Sequence, residues 1–159
     1  MKNEEQLDIK GRLTLQLTDA HGEVMQTMQI PNMIVNSGRK LVADLFSGKA
    51  SKHISISHVA VGTNNADSKA DDTALGAEVF RKEVTILDPQ KDGDRFKVTL
   101  TTELEFNEPS GSEVILQEAA LFYGPDKNAR DTIMYNRVKF APVTKNENFK
   151  LTLYWEIIF

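Results

Sequence analysis

The stretch FKLTLYWEIIF, Phe149 to Phe159, alternates: Phe149, Leu151, Leu153, Trp155, Ile157 and Phe159 fall on one side, and Lys150, Thr152, Tyr154, Glu156 and, at the end, Ile158 on the other. A repeat of two is the period of a strand, whose successive side chains point to opposite faces, so this segment reads as a half-buried β-strand. The same period recurs upstream. Leu13, Leu15 and Leu17 alternate with Arg12, Thr14, Gln16 and Thr18, and the turn Asp19-Ala20-His21-Gly22 leads into a second strand over Glu23–Ile30. Phe96, Val98, Leu100, Leu104 and Phe106 share one face of a long strand that Thr102 interrupts. The turn before it, Pro89 to Asp94, contains Asp92-Gly93, a hairpin signal. One segment breaks the period: between Asn36 and Gly48, the residues Leu41, Val42, Leu45 and Phe46 group at helical spacing. Ser37 reads as its N-cap and Gly48 as its C′ residue, which predicts one short helix around 37–47. About eight strands and one helix predict a mainly β chain, an antiparallel β-sandwich of jelly-roll-like type. Residues 1–9 read as a flexible arm and 10–159 as a single sandwich domain.

Bulk composition narrows the function classes. The 159 residues are 40% hydrophobic and 26% charged, as in an ordinary globular chain. Net charge is −4 and no run of basic residues occurs, so nothing points to nucleic acid. The absence of cysteine removes disulfides, thiolate metal sites and a Cys nucleophile. The charged N-terminus MKNEEQLDIKGR has no apolar h-region, and no apolar run approaches the ~20 residues that span a bilayer, so the chain is expected to be soluble and made in the cytosol.

The segment His58–Val84, HVAVGTNNADSKADDTALGAEVFRKEV, holds the most polar loop and raises two ligand readings. Gly62-Thr63-Asn64-Asn65 lacks the second glycine and the Lys-Ser or Lys-Thr of a phosphate loop. Asp67, Asp71 and Glu78 match positions 1, 5 and 12 of a calcium loop, but Lys69 stands where an oxygen ligand belongs and Asp72 where glycine makes the turn. His21, His53 and His58 show no metal-ligand spacing. Glu103 and Glu105 flank Leu104 as a solvated face. No catalytic, cofactor or metal site is therefore expected. What survives is electrostatic. Glu78 and Arg81, three apart in a strand, are expected on opposite faces. Glu118 sits on a face that otherwise reads Val114, Leu116, Ala120, Phe122, so it needs a cation or hydrogen-bond donors. Arg81 and Arg137 are the candidate partners, with an Arg81–Glu118 pair expected to hold two strands in register.

Several segments in order resemble a family of tailed-phage virion proteins. They are Asn36-Ser37-Gly38-Arg39-Lys40-Leu41-Val42-Ala43, Ile56 to Gly62 ending Ala-Val-Gly, Thr73-Ala74-Leu75-Gly76-Ala77-Glu78-Val79-Phe80-Arg81, and Gln117-Glu118-Ala119-Ala120-Leu121-Phe122. Residues 137–145 and 153–159 fit the same pattern, so the likeness covers roughly 10–159. The chain is similar to the N-terminal attachment region of tail-collar fibre proteins and to small tail, collar and baseplate proteins. The resemblance implies a non-enzymatic structural subunit of the virion, synthesised in the host cytoplasm. It also implies partners that are copies of itself and other virion proteins, and no cofactor. Two rivals remain at this stage: a glycan- or receptor-binding sandwich, which would want exposed aromatics, and a cell-wall hydrolase using Glu78 or Glu118.

Overall fold

A computed structural model describes residues 9–49, 55–124 and 132–159. The elements run β1 (Lys10–Asp19), β2 (Val24–Pro31), β3 (Met33–Ile34), α1 (Asn36–Phe46), β4 (Ile56–Gly62), β5 (Glu78–Glu83), β6 (Thr85–Ile86), β7 (Gln90–Asp92), β8 (Arg95–Leu104), β9 (Val114–Tyr123), β10 (Ile133–Met134), β11 (Asn136–Lys145) and β12 (Phe149–Ile158). They form two antiparallel sheets packed as a sandwich. One has the order β2-β1-β12-β8-β6, with β7 also on β8; the other runs β3-β11-β9-β4-β5, with β10 also on β9. Consecutive long strands form hairpins within a sheet at β1–β2, β4–β5 and β9–β11. This sandwich is therefore wired with more hairpins than the sheet-to-sheet alternation of a jelly roll.

The C-terminal strand is central in the first sheet because both of its neighbours carry matching apolar rows. Leu151 lies between Leu17 and Leu104, Leu153 between Leu15 and Thr102, and Trp155 between Leu13 and Leu100. All of these face the second sheet, whose inner side supplies Val59, Val61, Leu116, Ala119, Leu121, Val138, Phe140 and Val143. Thr102, the interruption in the β8 pattern, is buried there with its hydroxyl donating to the Glu83 carbonyl at 2.9 Å. Burial of this interlocked apolar surface is the main force holding the sheets together.

The second sheet is covered on its outer side as well. Val35, Ala60, Leu75, Ala120, Phe122 and Met134 form a smaller apolar cluster there, roofed by residues 63–77 and the start of α1. Hence β9 reads as a nearly continuous apolar run, Glu118 excepted, because both of its faces are inside. Helix α1 ends as expected: Gly48 at φ +71° follows Ser47, the Gly48 N–H donates to the Leu45 carbonyl and the Lys49 N–H to that of Asp44. Its start differs. The N-cap position falls at Val35, which offers no side-chain cap, and Ser37 does not cap either, since its hydroxyl donates to the Met134 carbonyl at 2.6 Å. Tertiary packing explains the shift: the helix N-terminus rests on the link between β10 and β11 and on the roof loop, and the Asn36 N–H donates to Ala70.

Candidate functional site

Glu118 lies on β9, opposite Gly62 on β4 and Lys139 on β11, and its side chain points outward into the space beneath the loop 63–77. It is 0% exposed. Oε1 accepts the N–H groups of Asn64 at 3.2 Å and Ala77 at 2.7 Å; Oε2 accepts that of Gly76 at 3.0 Å. Arg137, on β11, adds Nε at 3.2 Å and Nη2 at 3.0 Å to Oε2. Five donors thus converge on a carboxylate with about four lone-pair positions, so neither oxygen keeps a free one.

Arg137 is saturated in the same way. Its remaining donors go to Asp72 Oδ2 at 2.8 Å and to the carbonyls of Asp67 and Ala66 at 3.3 and 3.2 Å. All five N–H groups of the guanidinium are used, on two carboxylates and two carbonyls. Burial alone would lower the pKa of Arg137, but Asp72 and Glu118 outweigh that and raise it. For Asp72 burial alone would push the value up; the Lys69 N–H and Arg137 hold it below the ordinary 3.8.

The loop these groups fasten is shaped by its own Asn and Asp side chains. Asn64 Oδ1 accepts the Ala66 N–H, and Asp72 Oδ2 the Lys69 N–H. Such side-chain-closed turns are the ordinary use of Asn and Asp in loops. Gly62 permits the close approach of the loop's return: a Cβ there would collide with the Ala77 carbonyl and with Glu118 Oε1. The calcium-loop carboxylates do not converge: Asp67 pairs with Lys139, Glu78 pairs with Arg81, and Asp71 stands exposed, while Asp72 at the glycine position pairs with Arg137.

The expected Arg81–Glu118 pair does not form; Glu118 meets Arg137, and Arg81 meets Glu78. Arg81 donates Nη2 and Nε to Glu78 at 2.7 and 3.2 Å and Nη1 to Thr132 at 2.8 Å, and its guanidinium stacks 3.8 Å from the Phe122 ring centre. Glu78 and Arg81 share a side, contrary to the alternation rule, because β5 bulges. Val61 faces Phe80 and Gly62 faces Glu78, so Val79 is an extra residue that inverts the parity.

Of the three histidines, His58 is buried with Nδ1 2.7 Å from the Ser57 hydroxyl, His21 lies exposed in the β1–β2 turn, and His53 is outside the described residues. Glu103 and Glu105 both pair with Lys150, at 3.1 Å each. One buried charge escaped sequence reasoning. Lys145 is 0% exposed, and its ammonium donates to the carbonyls of Glu105, Phe106 and Asn146 at 2.9, 3.3 and 3.1 Å. Its signal was parity, for Lys145 shares the inward face with Val143. Burial lowers its pKa, against the pull of Glu108 and Glu105.

No protein-family model matches this chain, and no curated protein or solved structure matches it either.

Proposed function

We propose that the chain is a non-enzymatic structural subunit of a tailed-phage or phage-tail-like particle, an adaptor, collar or decoration protein acting through protein–protein contacts. One observation carries this reading. Four of the six segments that resemble phage virion proteins are separate in sequence yet meet on the outer face of the second sheet. The start of α1, the end of β4, residues 73–81 and Glu118–Phe122 build one roofed unit around the Glu118–Arg137 network. Segments that recur together are expected to serve one physical task, and here the task is fastening a loop.

Saturation of the network supports the same reading. A general acid or base must reach a substrate proton, and Glu118 is enclosed and fully bonded. The hydrolase rival is left with Glu78, which Arg81 occupies. The glycan rival loses its largest stacking surface, since Trp155 is buried in the core at 0% exposure. On the surface, Val24, Met25 and Met33 stand exposed and offer adaptable apolar contact, whereas Met28 packs on the core.

The test is location. Mass spectrometry and antibody-labelled imaging of purified particles from cells producing the chain are expected to find it in stoichiometric amount at the tail, collar or baseplate. Particles from those cells that contain none of the chain overturn the proposal.

A further inference from the structure

We infer that the open end of the sandwich is a contact between two copies of this chain, in which Phe46 of each copy fills an apolar groove of the other. The groove lies between α1 and the end of the first sheet and encloses about 510 Å³. Its walls are Leu41, Val42 and Leu45 from the helix, with Val98, Leu100 and Ile157 from the sheet. A volume of this size admits large side chains or a small ligand.

Three observations point to a second copy as the occupant. First, Phe46 stands on the groove's rim and is 92% exposed, so it does not fill its own groove. A foreign ligand would account for the slot but not for the knob beside it. Knob and slot on one surface are what a two-fold contact needs, because the same patch must be complementary to itself. Second, the apolar surface continues past the groove. Phe96 and Phe159 exchange backbone hydrogen bonds at its mouth and are 54% and 41% exposed; Ile86 and Leu45 are also exposed. At roughly 200 Å² for a large side chain these five residues leave on the order of 500 Å² of mostly apolar surface in water. That is within the roughly 300–600 Å² of the largest patch on a typical monomer, a patch that is often functional, and close to the apolar share of the ~800 Å² that each partner contributes to a standard interface. Third, the patch is built by overhang. The inner face of β8 and β12 runs on through Phe96 and Phe159 at this end, where α1 gives only partial cover.

This contact supplies an interface for the self-association that the resemblance implies and takes only its biological setting from the proposed function. Light scattering and native mass spectrometry on the full chain are expected to show a concentration-dependent dimer at micromolar protein. Phe46→Ser is expected to raise the dimer dissociation constant at least tenfold while leaving the thermal midpoint of the dilute monomer unmoved, since the residue is exposed in the single chain. The chain has no cysteine, so single-cysteine variants report cleanly. Oxidising isotope-labelled Phe46→Cys with unlabelled Ile86→Cys should give a mixed covalent pair, and Gln29→Cys on the opposite edge strand β2 should not.

A chain that stays monomeric at hundreds of micromolar overturns the inference. So does a monomer carrying an apolar small molecule, or one with Phe46 packed against residues 1–8 of its own chain. A dimer indifferent to Phe46→Ser removes this interface and leaves the virion reading standing. Particles that lack the chain, with the groove dimer intact, remove the virion reading and leave the interface.

Discussion

Glu118→Gln exchanges one oxygen for an amide nitrogen at the most enclosed position of the loop–sheet junction, and is expected to cost about 3–5 kcal/mol. The magnitude follows from the five donors. In the better amide orientation the remaining oxygen keeps the N–H groups of Asn64 and Ala77, while the new NH₂ confronts Gly76 N–H and both Arg137 donors. Three hydrogen bonds to a charged group are lost, worth about 1.5–3 kcal/mol each, and the buried Gly76 N–H is left without an acceptor at about 1–3 kcal/mol. Relaxation limits the sum, because the loop 63–77 can lift before the sheets separate; the range for breaking a buried pair is therefore the better guide. Against a total of about 5–15 kcal/mol for a domain, that is a large fraction.

The assay is urea unfolding followed by fluorescence of the single tryptophan, with amide exchange read separately at Asn64, Gly76 and Ala77. Those three amides are expected to lose protection first. The double variant Glu118→Leu with Arg137→Met sharpens the test. A simple buried pair can be replaced by apolar residues at little cost, but here three backbone N–H groups would still lack an acceptor, so the double variant should remain destabilised. A loss under about 1 kcal/mol for Glu118→Gln, with unchanged exchange at the three amides, would refute the reasoning.

Three further outcomes follow from the same geometry. Gly62→Ala should destabilise by about 2–3 kcal/mol, since its Cβ meets the Ala77 carbonyl and Glu118; a stability within 0.5 kcal/mol of the parent, by the same urea titration, would contradict that contact. Asp72 is held below its ordinary 3.8, so its contribution to stability should be complete above about pH 4 and be lost as pH falls through the folded value; Asp72→Asn should flatten that part of the acid profile. Burial lifts Tyr135 from 10.0 to about 12 against the opposing charge of Arg39, so stability present below pH 10 should decline as pH rises toward 12. Tyr135→Phe should remove that alkaline slope and be neutral or stabilising by up to about 1 kcal/mol, because the buried hydroxyl has no hydrogen-bond partner among the described residues; calorimetry across pH 8–12 decides it.

The sandwich was legible because strand period is a local property: Leu13, Leu15 and Leu17 and the Phe149–Phe159 alternation state which side is inside without reference to any partner strand. Glu118 was likewise legible as an anomaly, a carboxylate on an apolar face. Its partner was not. Choosing Arg137 over Arg81 depends on strand order and on the bulge at Val79, which turns Arg81 toward Glu78. Neither leaves a mark on local spacing. The helix shows the same division. Its end at Gly48 was readable because a left-handed residue is a local need, whereas the start at Val35 depended on carbonyls brought from Met134 and Ala70.

By itself, then, the sequence determined everything that rests on one residue's own conformational preference or one segment's own periodicity: the strands, the turns, the helix and the buried carboxylate. Only the tertiary structure decided which groups meet: the loop folded over Glu118, Lys145 seated among three carbonyls, and Phe46 left in water beside a groove on what reads as the helix's buried side. The physical reason is that a hydrogen bond or an apolar contact is a property of two positions in space. The chain brings them together through register, bulges and sheet order, which are set by the whole fold's packing and by no single stretch of it.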